Sequence, residues 1–326
     1  MSNLIQANHF TRQAGIELPV VCGAMYPCSN PELVAAVSEA GGLGIIQPIS
    51  LTYVHGHGFR EGIRLMRQLT SKPLGMNALI ERSSNKYHEK MMEWVDIALE
   101  EGVRFFITSL GKPDWVVERV HAANGYVYHD VTERKWALKG LEANVDGFIA
   151  VNNRAGGHAG GLSARQLYED LVEFGLPILC AGGISTAEQF KQALQLGYQG
   201  VQIGTRFIAT KECNASEAYK NAIITASEDD IVLSERITGI PVSVIKTPYI
   251  ERTGTKAGLI EKWLLKRNYS KRWMRTFYAL RSLRKLKKSN LDQSGKIDYW
   301  QAGKSVSGIH EILTVAEIMK EFKRQI

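Results

Sequence analysis

One histidine, His158, lies inside a run of four glycines and two alanines in residues 152–161, NNRAGGHAGG. Imidazole is the usual proton-transfer group at neutral pH, because its ordinary pKa is about 6.5. Glycine is typical of places where the backbone adopts an unusual conformation or where another group comes very close. His158 is therefore either a polar residue of a turn or a proton-transfer group held against a ligand.

Glycine turns at two other places indicate a phosphate. Gly182 and Gly183 follow the apolar run PILCA, and Gly204 with Thr205 follows GVQI. Backbone N–H groups of such turns can hold a phosphate without a cation. A turn between a strand and a helix also prefers glycine for its own sake, so neither turn decides the question alone.

Small residues and polar side chains mark further positions. The stretch CGAM places Ala24 and Met25 after an apolar run, where a flat ring can lie against the backbone. Asn77, in LGMNAL, offers an amide that both donates and accepts, which suits the edge of a heterocycle. Asp130 and Asp146 could act as acids or bases, but each is better explained as a strand-end or turn residue.

The elements that must position these residues alternate short β-rich runs with amphipathic helical stretches over residues 18–225. Ser163 with Gln166, and Ser185 with Glu188, have the spacing of capping boxes and predict two of the helix starts. Eight β/α units whose strands are apolar on both faces predict a parallel (β/α)8 TIM barrel. A doubly wound open sheet is the alternative.

The barrel prediction connects the candidate residues. Strands of a TIM barrel carry function at their C-terminal ends, and a phosphate site commonly follows strands seven and eight. The two glycine turns follow the predicted seventh and eighth strands, and the stretch with His158 follows the sixth. The sequence therefore predicts a phosphate-bearing ligand at the barrel mouth.

The C-terminal part of the chain has a different composition. We expect the barrel to span residues 1–225 and a helical extension to span 226–326, with a basic aromatic helix at about 257–288 and a closing loop and helix on the barrel. Residues 262–288 contain eleven Lys or Arg and no Asp or Glu, so the net charge of +7 is local to them. One interpretation is that the aromatic residues of this helix pack on the barrel, or on a second copy in a homodimer, while its charges face water. The other is that the helix binds nucleic acid or an anionic membrane. The first is favoured, because runs of charged residues are usually solvated faces of a helix.

Composition and cysteine usage narrow the class of protein. The 326 residues, 44% hydrophobic and 22% charged, are typical of a globular protein. The N-terminus lacks the pattern of a signal peptide, and the cysteines lack paired spacing, so we expect reduced thiols and a cytoplasmic location. Neither Cys22 with Cys28 nor His55 with His57 has a second pair of ligands nearby, so we expect no metal site.

Several motifs together carry a family resemblance. GAM, ELVAAVSEAGGLGII, LGMNAL, AGGHAGG, AGGI and GVQIGTRFIATKE occur in this order over residues 18–212, and YWQAGKSVSGI follows near the C-terminus. The chain resembles the nitronate monooxygenases, formerly called 2-nitropropane dioxygenases, which are FMN-dependent barrels. AGGH alone would not be specific, whereas several motifs in register are.

The resemblance implies roles for the candidate residues. FMN would lie over the barrel mouth and contact Ala24, Met25, Asn77, Gly156, Gly157, Gly182, Gly183, Gln202, Gly204 and Thr205. Of these, the glycines at 182, 183 and 204 and Thr205 would hold its phosphate. His158 would face the substrate, as a base in members that oxidise nitroalkanes or as a positive partner in members that take only the preformed nitronate.

Two positions depart from the family pattern. Arg154 stands where members commonly carry a glutamate, and Lys304 stands where they typically carry a glutamine. Either cation could bind an anionic substrate, and Arg154 could also bind a nicotinamide phosphate. The segment at about 246–290 is also longer and more basic than the resemblance leads us to expect.

Three functions follow, from two classes. The first is oxidation of alkyl nitronates, or of nitroalkanes, by FMN with O2 as the final oxidant. The second is an NADH-dependent FMN enoyl-acyl-carrier-protein reductase, a similar family with its own GGH motif, whose acidic carrier protein would suit the basic segment. The third is a binding module that uses the basic helix on nucleic acid or an anionic surface.

Overall fold

The computed structural model of the chain describes residues 8–81, 84–235, 241–256 and 299–325. Eight parallel strands close into a barrel in sequence order, with β1 beside β8. The strands are β1 Val20–Cys22, β2 Leu43–Ile46, β3 Leu74–Leu79, β4 Phe105–Ser109, β5 Tyr126–Val131, β6 Gly147–Val151, β7 Ile178–Ala181 and β8 Gly200–Ile203. The predicted TIM barrel is confirmed, and the open-sheet alternative is wrong.

Helices alternate with these strands. They are α1 His9–Ala14, α2 Pro31–Glu39, α3 Phe59–Leu69, α4 Asn85–Glu100, α5 Asp114–Ala122, α6 Arg134–Glu142, α7 Ala164–Leu171, α8 Ala187–Gln195, α9 Thr205–Ile208 and α10 Glu217–Thr225. Single helical turns of other types lie at Ser50–Val54, Val172–Phe174, Glu228–Asp230 and Lys304–Gly308. The helices cover the outside of the strands, which explains why the strands are apolar on both faces.

Capping boxes within a few residues of the helix start mark the beginnings of α7 and α8. The box of Ser163 and Gln166 at the start of α7 is present as predicted. The second box is formed by Thr186 and Gln189, one residue later than predicted. The Gln189 side-chain oxygen also accepts from the Ser185 N–H at 2.8 Å, so one amide serves both residues and moves the helix start.

An N-terminal helix closes one end of the barrel. Phe10 of α1 packs against Phe105 and Tyr128, with ring centroids 5.7 Å away in each case. The Tyr128 hydroxyl donates to Gln13 Oε1 at 2.7 Å. Burial of each such aromatic ring contributes about 1.5–3 kcal/mol to the free energy of folding, so α1 is held firmly at this end of the barrel. The open end of the barrel is therefore the one at the C-terminal ends of the strands.

Residues after α10 add elements beside the barrel mouth. β9 Ile231–Ser234 and β10 Val242–Ile245 pair as an antiparallel hairpin within the predicted helical extension, where no strands were predicted. Among the described residues that follow are the helices α11 Pro248–Thr253 and α12 Val315–Lys323, the second being the predicted final helix. The predicted basic aromatic helix at 257–288 lies outside the described residues, and the division at residue 225 stays a prediction.

Two features bear on the expected class of protein. The part of the chain that the structure describes contains no helix long and apolar enough to cross a membrane. Cys22, Cys28, Cys180 and Cys213 are all buried free thiols, as predicted. The cytoplasmic location stays a prediction.

Candidate active site

The C-terminal ends of the strands surround a cavity of about 590 Å³, which lies within the usual range of ligand sites. Every strand, or the loop that follows it, contributes to the wall: Gly23, Gln47, Asn77, Ser109, Asp130, Val151, Ala181 and Gln202, from β1 to β8 in order. TIM barrel enzymes carry their chemistry at this face. The cavity is therefore the candidate active site.

All but one of the site residues predicted from the sequence line this cavity. They are Ala24, Met25, Asn77, Arg154, Gly156, Gly157, His158, Gly182, Gly183, Gln202, Gly204 and Thr205. The exception is Lys304, whose neighbour Ser305 lines the wall instead. Lining positions are compatible with the predicted contacts, which stay predictions.

The turn after β7 requires glycine for its backbone. Gly182 and Gly183 have φ angles of 116° and 80°, which side-chain-bearing residues rarely adopt. A Cβ on Gly182 would also lie 2.5 Å from Asn152 Oδ1. Close packing and backbone conformation therefore both exclude a side chain there, and the backbone of the turn lines the cavity directly.

Asn152 is a buried polar residue behind the cavity wall that the sequence analysis missed. Its side chain is completely buried at the end of β6. Its Nδ2 donates to the Gly182 carbonyl at 3.0 Å, and its Oδ1 accepts from the Arg154 N–H at 2.8 Å. Asn152 thus joins the turn after β7 to the loop that carries His158. A polar residue directly after an apolar strand was the available signal.

The loop with His158 is held by two later parts of the chain. Gly157 has a φ of 66°, and its carbonyl accepts from the Ser243 N–H of β10 at 2.8 Å. A Cβ on Gly156 would lie 2.9 Å from the backbone nitrogen of Gly303. The sequence analysis attributed these glycines to the approach of a ligand ring. In the structure they accommodate the protein's own backbone.

His158 itself stands at the exposed rim of the cavity. Solvent reaches its ring from the mouth, while the wall behind it removes water and lowers the pKa of His158 below its ordinary value of 6.5. The imidazole is therefore neutral at pH 7 and able to accept a proton. Of the two roles that the resemblance implied, this state favours the base over the fixed positive partner.

Arg154 is paired within the protein. Its Nη1 donates to Glu228 Oε2 at 3.0 Å, and its Nη2 makes a second contact with the same carboxylate. The guanidinium lowers the pKa of Glu228, and Lys304 adds to this lowering. The Lys304 N–H also donates to the Arg154 carbonyl at 2.9 Å. The two departures from the family pattern therefore meet at one carboxylate, half-exposed beside the cavity.

The two aspartates considered in the sequence have different surroundings. Asp146 Oδ2 accepts from the Val127 N–H at 2.7 Å and contacts His121 Nε2 at 2.8 Å, so it is a structural turn residue. Asp130, on β5, lines the cavity, and its Oδ1 is fully covered without a hydrogen-bond partner in the described ranges. Burial raises the pKa of Asp130 from 3.8 to about 7. The strand-end interpretation of Asp130 accounts for its position but not for this environment.

Gln202 supplies a second uncompensated oxygen. Its Oε1 is fully covered and has no hydrogen-bond partner among the residues that the structure describes. Gly23 makes room for this side chain, because a Cβ there would lie 3.0 Å from Gln202 Cγ. An unpaired buried amide oxygen lowers the stability of the fold by about 1–3 kcal/mol. The wall is thus suited to a ligand that donates an N–H at this point.

The sequence profile of the nitronate monooxygenases matches residues 8–324, nearly the whole chain. The chain belongs to the nitronate monooxygenase family. It is 26% identical over 292 residues to a "Probable nitronate monooxygenase" of Staphylococcus aureus (strain Newman), covering 77% of this chain and 81% of that protein. The expected family is therefore confirmed.

Other proteins similar to this chain have different names. The "(3aS,4S,5R,7aS)-5-hydroxy-7a-methyl-1-oxo-octahydro-1H-indene-4-carboxyl-CoA dehydrogenase" of Rhodococcus jostii (strain RHA1) is 28% identical over 254 residues, which cover 77% of this chain and 69% of that one. The structure of FabK from Thermotoga maritima, an enoyl reductase, superposes with a TM-score of 0.76 at 26% identity, covering 97% of this chain and 94% of that one. Similarity of this degree leaves the substrate open.

Family membership makes this chain a flavin-dependent oxidoreductase. The cavity fits such a cofactor, because Gln202 Oε1 has no donor in the described part of the chain and a flavin ring N–H is a donor of the required kind. The backbone at Gly182 and Gly183 also meets the cavity without an intervening side chain. In the described ranges no three His, Cys, Asp or Glu side chains cluster so as to hold a metal ion.

Proposed function

We propose that this protein uses FMN to oxidise alkyl nitronates, and nitroalkanes that it first deprotonates, with O2 as the final oxidant. The observation that carries the proposal is the position of His158 at the rim of the barrel-mouth cavity of a nitronate monooxygenase family member. Burial lowers the pKa of His158, which suits a base. A nitroalkane must lose a proton from the carbon next to the nitro group before it is oxidised. An imidazole at the cavity mouth can accept that proton.

The cofactor-holding residues follow from the wall of the cavity. Backbone N–H groups of Gly182, Gly183 and Gly204, with the Thr205 hydroxyl, would hold the phosphate. Gln202 and Asn77 would meet polar edges of the ring, and the small residues at 23 and 24 would let it lie flat beside Met25. A bound flavin supplies the two-electron oxidant that O2 later regenerates.

We assign Arg154 and Lys304 a positioning role rather than a substrate-binding one. Their shared carboxylate, Glu228, already neutralises the guanidinium through two contacts. Through the backbone bond between them, both residues tie the closing loop to the loop that carries His158. The family's usual glutamate and glutamine at these places would not form this cation–carboxylate cluster.

A direct test measures O2 consumption by the purified protein with nitroethane and with its preformed nitronate. Consumption with the nitronate supports the proposal, and its complete absence in flavin-loaded protein contradicts it. The identity of the flavin is tested separately, by denaturing the protein and chromatographing the released cofactor against FMN and FAD.

A second function is favoured by one observation. The FabK structure covers 97% of this chain with a TM-score of 0.76, so an NADH-dependent enoyl-thioester reductase could use the same cavity. NADH would then be the electron donor, and an unsaturated thioester the acceptor. Rapid flavin reduction by NADH, with none by a nitronate, would favour this function over the first.

A further inference from the structure

Asp130 lies on the inner face of the barrel wall, and one of its two carboxyl oxygens, Oδ1, has no hydrogen-bond partner among the described residues. Asp130 lies two residues beyond Tyr128 on β5, and Tyr128 belongs to the buried core inside the barrel. Side chains two apart on a strand share a face, so Asp130 extends the interior face up to the cavity. Its Oδ1 is fully covered and accepts no hydrogen bond in the described part of the chain.

A buried carboxylate without a donor is costly, so the neutral acid is the favoured form. Burial alone raises the pKa of Asp130 to about 7, with no charged neighbour among the causes. The other titratable side chains that line the cavity are Tyr26, Cys28, His129, Arg154, His158 and Tyr219.

These other groups keep one charge state across neutral pH. Burial raises the pKa values of the Tyr26 and Tyr219 hydroxyls and, with its neighbour Cys213, that of the Cys28 thiol, so all three stay neutral. Burial lowers the pKa of His129 to about 4 and that of His158 below 6.5, so both imidazoles are neutral at pH 7. The Arg154 guanidinium is paired with Glu228. Among the described residues that line the cavity, Asp130 therefore changes charge alone near pH 7.

We propose that Asp130, as a neutral carboxylic acid, donates a hydrogen bond to an anionic oxygen of the substrate. This inference rests on the proposed function, in which the bound substrate is a nitronate. β5, which carries Asp130, lies beside β6, the strand that precedes the loop with His158, and both side chains line the cavity. His158 accepts the proton from carbon, and Asp130 stabilises the negative charge on the nitro oxygens. Once ionised, Asp130 repels the same anion.

The test uses nitrate, a planar oxyanion that is stable at all pH values of interest, with the flavin-loaded protein. Its Kd is measured between about pH 6 and pH 9 from the perturbation of the flavin absorbance. In the wild type we expect the Kd to rise about tenfold for each pH unit above about 7. In Asp130→Asn, which keeps a donor but cannot ionise, the Kd should not depend on pH above about 7.

The matched control is Asp96→Asn, which removes a carboxylate that pairs with Arg119 on the outer surface. It should keep the wild-type pH dependence. Failure of nitrate to bind at about pH 6, or the same pH dependence in wild type and Asp130→Asn, would overturn the inference.

A second readout needs no ligand. The infrared spectrum of the wild type minus that of Asp130→Asn should contain the carbonyl band of a protonated acid at about pH 6, and this band should disappear as the pH rises through about 7. Absence of the band at about pH 6 would also overturn the inference. Lack of nitronate oxidation, with nitrate binding and the band as expected, would contradict the proposed function and leave the role of Asp130 as an anion-binding acid in place.

Discussion

Gly156 and Gly303 meet backbone to backbone beside the active-site cavity. A Cβ on Gly156 would lie 2.9 Å from the Gly303 nitrogen, and a Cβ on Gly303 would lie 2.6 Å from the Gly156 nitrogen. The Gly303 N–H also donates to Thr205 Oγ1 at 3.0 Å. Gly303 of the closing loop, residues 299–309, thus joins the loop with His158 to the turn after β8.

Substitution of Gly156 by alanine should open this contact. The added methyl has no room, so overpacking should lower the free energy of unfolding by about 1–3 kcal/mol and weaken flavin binding. Gly161→Ala is the control, because a Cβ there meets no atom within 4 Å. Thermal melting and flavin titration of both variants test the account, and equal behaviour of the two would contradict it.

Removal of His158 should affect nitroalkanes more than nitronates. In anaerobic mixing, His158→Ala should reduce flavin about 10²–10⁴-fold more slowly than wild type with nitroethane, which needs a base. The loss should be smaller with the preformed nitronate. The control His310→Ala changes an exposed histidine outside the cavity wall and should behave as wild type. Equal losses for both substrates would contradict the base role.

The lowered pKa of His158 fixes the sign of its pH dependence. A base must be neutral, so the rate with nitroethane should decrease only as the pH falls below the ordinary histidine value of 6.5. Pre-steady-state rates across pH measure this limb in wild type. A limb that lies above 6.5 and disappears in His158→Ala would show that the cavity raises this pKa instead.

Asp130 should make the fold less stable as the pH rises. Its pKa is 3.8 in ordinary surroundings and about 7 in the fold, so the native state holds a proton that the unfolded chain releases. The contribution of the neutral acid is complete below about 3.8 and is lost by about 7, at most about 4 kcal/mol in all. In denaturant unfolding, the free energy of unfolding of Asp130→Asn should therefore increase relative to that of wild type as the pH rises between these values. That of Asp96→Asn should not.

His129 should act in the opposite direction. Its Nδ1 lies 2.8 Å from Thr108 Oγ1, and burial lowers its pKa from 6.5 to about 4. The unfolded chain binds a proton at His129 that the native state does not bind. The free energy of unfolding therefore decreases as the pH falls from about 6.5 to about 4, by at most about 3 kcal/mol. Urea unfolding of His129→Gln should show a smaller loss over this window, and an unchanged loss would contradict the assignment.

The barrel could be predicted because its signals are local. Most strands are short apolar runs that end at glycine or a polar residue, and helices such as α7 and α8 carry their own start signal. The hairpin of β9 and β10 could not be predicted, because its four-residue strands depend on hydrogen-bond partners far along the chain. Ser243 bonds to Gly157, and Ile245 bonds to Trp300. Nothing in the hairpin's own sequence specifies those partners.

The residues that line the candidate site could be predicted from their types, but the contacts between their side chains could not. His158 and the glycine turns lie on one cavity because a barrel gathers its strand ends. The contact of Arg154 with Glu228 joins residues 74 positions apart, and no spacing rule connects them. The environment of Asp130 was equally hidden, since only the closed barrel shows that its oxygen is covered.

The most direct measurement of the central claim is anaerobic. The flavin-loaded protein is mixed separately with propionate 3-nitronate and with NADH, while the visible flavin band is followed. Nitronate oxidation predicts that the band bleaches with the nitronate and persists with NADH. Bleaching by NADH alone would contradict that account and point to the reductase.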